Sequence, residues 1–204
     1  MIKVENVEVF NMEGAVRGMR NPFNSWAKSD SINEVPFGFN LGEKDLDLMQ
    51  RLYKGGTEHR KFMRQIFISL DITAPLYFWK EFDTYKVGTV SNSCSTMHTI
   101  HKKEFTLDDF SVEHLTNDSL LALAGVINIL NKYRQEYIET KNKNSWWQLI
   151  QLLPTSYNQK RTITMNYENA ATIIRQRTGH KLDEWASLIG ELRKLPYLEK
   201  IMGE

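Results

Sequence analysis

In the segment QIFISLDIT, Ile66, Ile68, Leu70 and Ile72 alternate with Gln65, Ser69 and Asp71, and only Phe67 breaks the polar side. A period of two places one set of side chains on each face of a pleated chain, so this run predicts a strand with one buried face. Thr73-Ala74-Pro75 follows at once. Proline's fixed φ and missing N–H suit the first position of a helix, which predicts a helix from there to about Lys86, before Gly88. Tyr77, Phe78, Trp79, Phe82 and Tyr85 lie on or near it. Rings at that spacing are the usual means of burying apolar area, although a flavin or a pyrimidine could stack on such a face.

Other segments repeat the mixture. Leu46, Met49, Leu52 and Tyr53 sit at helical spacing ahead of Gly55-Gly56, a terminator that tolerates left-handed dihedrals. Asn117-Asp118-Ser119 can cap a helix to about Tyr137, with Leu120, Leu123, Ile127, Leu130 and Tyr133 as one buried stripe. The segment SWWQLIQLLP stops at Pro154, and KRTITM reads as a weak strand. Asn166 can cap a helix that reaches Gly179, and a last helix spans about Leu182 to Leu192. With no internal repeat and no linker-like composition, residues 1–204 read as a single α+β domain.

The balance of 26 Lys plus Arg against 25 Asp plus Glu gives no bulk attraction to nucleic acid or anionic lipid, so any anion site must be local. No apolar stretch approaches the roughly 20 residues that cross a bilayer. One cysteine, Cys94, leaves no internal disulfide, and MIKVENVEVF has no export pattern, which together predict a cytoplasmic protein. The polar stretch MRNPFNSWAKSDSINEVPFGFNLG suits a loop that covers a site, a lid.

The stretch FDTYKVGTVSNSCSTMH, half helix and half loop on this reading, carries the densest chemistry. Cys94, His98 and His101, with His59, offer zinc-type ligands, but the spacing matches no standard zinc pattern, and solvated histidines are the plainer reading. A Cys–His nucleophile pair lacks an orienting third group. In RQRTGHK, cations at a helix end are expected from the helix dipole alone, while Arg177 could also present a planar fork to a phosphate. Neither GxGxxG nor GxxxxGK[ST] occurs, which removes support for a Rossmann or P-loop site.

A strand, Ala-Pro, an aromatic helix and then a polar cationic loop resemble the flavin-dependent thymidylate synthases, the FAD-using alternative to the classical folate-dependent enzyme. In that family Arg-His-Arg is followed by seven residues and a serine. Here Thr84-Tyr85-Lys86 is followed by seven residues and Cys94, with no gap needed. Asn92 stands in place of the family's glutamate, and Thr96-Met97 in place of its Arg-Tyr. AVRGMR (Ala15 to Arg20), His59, LLP at Leu152 to Pro154 for the family's Leu-Pro, Asn166 and Arg177 fall in matching order, while Glu168 replaces a flavin-contacting arginine.

The resemblance implies a twisted antiparallel-type sheet flanked by helices, assembled as a homotetramer with FAD and nucleotide sites built between subunits. The chemistry implied is methylation in nucleotide biosynthesis: methylene transfer from a folate to the uracil ring of dUMP and hydride transfer from reduced FAD, with NADPH as reductant. Carried over by position, the cofactor side comprises His59, Tyr85, Lys86, Asn92 and Asn166, and the substrate side Glu81, Lys86, Cys94, Ser95 and Arg177. No catalytic residue and no metal ligand is assigned. With several guanidiniums replaced, the alternative is a homologue that kept the fold and serves as a binding or interaction protein.

Overall fold

The computed structural model describes residues 2–34, 36 and 38–203. In chain order the elements are β1 (Lys3–Phe10), α1 (Met12–Arg20), β2 (Ile32–Glu34), β3 (Gly38–Asn40), α2 (Glu43–Lys54) and β4 (Phe67–Pro75). Next come α3 (Leu76–Phe82), β5 (Val90–Ser93), α4 (Thr96–Thr99), α5 (Asn117–Thr140) and α6 (Lys143–Leu152). The chain closes with β6 (Asn158–Asn166), α7 (Tyr167–Arg177), α8 (Asp183–Arg193) and α9 (Leu198–Met202). A four-stranded antiparallel sheet is ordered β1-β4-β6-β5. A separate antiparallel ribbon sets Ile32 of β2 opposite Asn40 of β3. This is the expected α+β class.

The chain divides into two compact units. The first comprises Met1–Lys3, Ile72–Thr84 and Asn92–Arg161; the second comprises Val4–Asp71, Tyr85–Ser91 and Thr162–Glu204. In the first, Ile100, Phe105, Phe110, Leu123, Ile127, Leu130 and Leu149 form one buried cluster, so the expected α5 stripe is the inner face of that helix. The α5 cap is Thr116, one residue before the expected Asn117, and its hydroxyl accepts from the Ser119 N–H. The α3 rings Phe78, Trp79 and Phe82 are buried and meet at centroid distances of 5.5 to 5.9 Å. The buried Trp79 Nε1–H donates to the Gln159 carbonyl at 2.9 Å, and the Arg161 guanidinium lies 4.3 Å over the same indole. These three rings are core, not a stacking platform.

The start and end of α3 differ from the sequence expectation. Pro75 is the residue before the helix, held extended at φ −67° and ψ 152°, and β4 runs through it. The first helical N–H groups are satisfied from outside, Leu76 by the Tyr157 carbonyl and Tyr77 by that of Thr155, so no proline is needed to hide an unpaired donor. The α-helix ends at Phe82, and Asp83–Tyr85 tighten into a 3-10 turn, short of Lys86.

In the second unit, α7 packs on α8, on α9 and on the 3-10 turn Arg60–Gln65, while α1 covers that turn and α2 packs on α9. Ile66, Ile68 and Leu70 are buried as the alternation predicts. Asn6 within the N-terminal strand and Asn11 just after it have positive φ, 52° and 66°; asparagine tolerates that region better than most residues. The polar segment read as a lid is tied down at Arg20 and at Ser29–Ser31 by the buried Asp45. One carboxylate oxygen accepts from Arg20 Nε at 2.6 Å, and the other accepts from the Ser29 and Ser31 hydroxyls and the Asp30 and Ser31 N–H groups. Val35 and Phe37 of that segment lie outside the described residues.

Candidate functional site

The residues singled out from the sequence fall into two groups. His59, Tyr85, Lys86, Asn166 and Arg177 belong to the second unit, and Glu81, Asn92, Cys94 and Ser95 to the first.

In the second unit the loop Tyr85–Ser91 is fastened to α7. Asn166 caps that helix, its side-chain oxygen accepting from the Asn169 N–H at 3.0 Å. Asn169 Nδ2 in turn donates to the Val87 carbonyl at 2.8 Å and the Thr89 hydroxyl at 2.9 Å. Between them Gly88 has φ +74°, and a Cβ there would stand 3.0 Å from Asn166 Nδ2. A side chain there would be strained by the dihedral and would press on Asn166, so glycine suits the position. At the other end of α7, Arg177 Nε donates to the Tyr85 hydroxyl at 2.9 Å, and Tyr85 donates to Gln176 Oε1 at 3.0 Å. The same guanidinium lies 4.7 Å from the Trp185 centroid and 5.4 Å from that of Tyr85. Arg177 is thus packed against two rings, with its Nε committed to the Tyr85 hydroxyl. Lys86 is exposed, and its ammonium has no partner among the described residues.

Glu168, where the resemblance placed an arginine, forms ion pairs with Arg60 at 3.2 Å and Arg64 at 2.8 Å. The carboxylate sits in the first turn of α7, where the helix dipole favours it. His59 is exposed and precedes the turn that carries both arginines.

In the first unit, Asn92 lies on β5, an exposed strand that the sequence reading took for loop. Its neighbours Val90, Ser91 and Ser93 are exposed too, so no alternation marks it. Cys94 is held through its backbone: its N–H donates to the Lys160 carbonyl at 2.9 Å, and its carbonyl accepts from Gln159 Nε2 at 2.8 Å. The thiol is exposed, 3.6 Å from the Thr99 hydroxyl. Ser95 caps α4, accepting from the His98 N–H at 3.3 Å. Glu81 is half-buried on α3.

Among the described residues no group of three or more His, Cys, Asp or Glu side chains is placed to hold a metal ion. The His101 ring meets Tyr137 edge-on at 5.0 Å, and burial, then Lys141, Lys102 and Arg134, push its pKa below the ordinary histidine value. Those are cationic surroundings, the wrong sign for a metal site. Asn169, Gln176 and Trp185 were not signalled by the sequence; Asn169, three residues past a capping asparagine, looks like any exposed helix residue.

No family model matches the chain, and no curated protein matches it in sequence. Solved structures do match. Thymidylate Synthase X from Helicobacter pylori, solved with FAD and dUMP, superposes over 100% of this chain and 98% of its own with a TM-score of 0.70. The fold is that of a flavin-dependent thymidylate synthase. Identity in that pair is 17%. A second structure of the Helicobacter pylori enzyme, also complexed with FAD and dUMP, covers 98% of each chain at 18% identity and a TM-score of 0.68. At such identity the likeness establishes the thymidylate synthase X fold over the full chain and leaves its chemistry to the side chains. No helix among the described residues is long and apolar enough to cross a membrane.

Proposed function

We propose that this chain is a divergent homologue of the flavin-dependent thymidylate synthases that binds a pyrimidine nucleotide, dUMP or a close relative, with residues 1–204 acting as one domain. The observation that carries the reading is the full-length fold combined with the ungapped loop frame, whose Tyr85–Ser91 segment is locked onto α7 through Asn166, Asn169 and Arg177. Lys86 is the cation proposed to meet the nucleotide phosphate, as a point charge on a flexible stem. Arg177 positions Tyr85 beside it. Asn92, Cys94, Ser95 and Glu81 supply amide, thiol, hydroxyl and carboxylate groups proposed for the substrate side.

FAD is the cofactor that the fold implies, and when bound it would supply hydride chemistry. The donor set is a poor fit to its diphosphate: the Glu168 carboxylate occupies the first turn of α7, and Arg60 and Arg64 are already paired with it. No step is therefore assigned through flavin. Folate and NADPH as co-substrates and methyl transfer belong to the same proposal and depend on flavin being held; a homotetramer is proposed with or without flavin.

The Glu168 pairs favour a second reading, a homologue without catalysis that acts as a binding protein. Two measurements separate the readings. Saturating dUMP should raise the melting temperature, because a ligand selective for the folded state stabilises it; no shift with dUMP, dTMP or related nucleotides sinks the nucleotide reading. Flavin absorbance retained after FAD titration and gel filtration, with dTMP formed from dUMP, methylene-folate and NADPH, would eliminate the non-catalytic one.

A further inference from the structure

Away from the α7 loop, the second unit contains a pocket of about 160 Å³ between α1 and the segment that Asp45 anchors. Trp26, Ile32 and Phe39 supply apolar wall, and Arg17, Arg20 and Glu13 supply charge. Arg20 is only 4% exposed. Its Nε is committed to Asp45 and its Nη1 lies 3.4 Å from the Ser25 carbonyl, which leaves Nη2 without a hydrogen bond among the described residues. That Nη2 is not sealed in the interior and faces the open space of the pocket, where its N–H groups can be offered to an anion. Arg17, one turn away on the same helix, is exposed and makes no side-chain hydrogen bond or ion pair among the described residues.

Size and charge narrow the occupant. A cavity of about 150 Å³ holds a molecule the size of benzene, so one ring with a small head group fills this pocket. The cations are Arg17 and Arg20; the anions are Glu13, which accepts from Asn33 Nδ2 at 3.0 Å, and Asp45 behind Arg20. The Glu13 carboxylate in the wall opposes a second negative charge on the ligand, which disfavours phosphate. Guanidinium geometry suits a carboxylate, and Trp26, half exposed, offers a ring face. We propose that this pocket is a binding site for a small ring-bearing monocarboxylate, gripped at its head by Arg17 and Arg20 and at its ring by Trp26 and Phe39. It is independent of the nucleotide site.

Benzoate is the probe, titrated calorimetrically against the full chain beside benzamide and inorganic phosphate. One-to-one binding of benzoate is expected, at least tenfold tighter than either control. Arg17→Gln should weaken it about tenfold or more, as loss of a charge-assisted hydrogen bond does. Trp26→Ala should weaken it as well, and both residues are exposed enough for the variants to fold, which unchanged melting temperatures would verify. The proposal is overturned by no benzoate binding at about 20 mM, well above a millimolar Kd, or by phosphate binding as tightly as benzoate. Affinity unchanged in both variants also overturns it, as does displacement of benzoate by dUMP. Benzoate binding without any dUMP binding would sink the nucleotide reading alone.

Discussion

Two guanidiniums in the second unit are withdrawn from water by opposite means. Arg20 meets a carboxylate that is itself saturated, since Asp45 accepts from two hydroxyls and two backbone N–H groups besides the arginine. Arg177 gives a hydrogen bond to the phenol of Tyr85 and lies against two ring faces, those of Tyr85 and Trp185. The first arrangement fixes a long polar segment by charge. The second fixes a loop by shape, and leaves the neighbouring Lys86 as the exposed cation. A buried ion pair contributes little net stability yet costs much when one partner is lost, whereas a cation over a ring contributes about 0.5–2 kcal/mol and fails gradually.

Asp45→Ala should therefore give the largest effect, a destabilisation of about 3–5 kcal/mol, read from the urea midpoint. A loss below about 1 kcal/mol, typical of an exposed pair, would show that the segment is not held by charge. Gly88→Ala attacks the loop held by shape. Its left-handed dihedral and the 3.0 Å approach to Asn166 predict a loss of about 1–3 kcal/mol, together with faster proteolysis between Tyr85 and Ser91. Tyr85→Phe keeps the ring and removes the hydroxyl, so it should cost about 1–2 kcal/mol; no change would mean that the hydroxyl contributes nothing to holding Arg177.

The smallest effect near neutrality concerns pH. Burial by itself would raise the Asp45 pKa, but hydrogen bonds from Ser29, Ser31 and Arg20 outweigh it and hold the carboxyl below its ordinary value. A depressed carboxylate stabilises the fold above its unfolded pKa and loses that contribution as the pH falls through the folded one. Melting curves should show this acid limb in the native chain and a flatter one in Asp45→Asn, while Tyr85→Phe keeps the limb unchanged.

The same contrast explains what could be read from the sequence. The α5 stripe and the β4 alternation were legible because Leu123, Ile127 and Leu130, and Ile66, Ile68 and Leu70, bury apolar area at a fixed period. Asp45 was not, because an acidic residue in the first turn of α2 reads as a dipole partner at the surface; nothing local announces that Ser29, Asp30 and Ser31 converge on it. Strand β5 was missed because its residues are exposed and carry no period, and α9 because it follows Tyr197, left-handed at φ 61°, where a tyrosine gives no warning of a turn. At the candidate site Asn166 was legible as a cap. Asn169, which does the fastening, depends on a loop far away in sequence.

Cys94 is the chain's one cysteine, and its thiol is exposed while its backbone is held on both sides by Gln159 and Lys160. The molecule therefore has one chemically addressable sulfur on a fixed stem, in the frame where the nucleotide is proposed to lie. A thiol-reactive reagent would modify each chain once without any engineered residue, and slower labelling in the presence of a nucleotide would report that ligand's arrival.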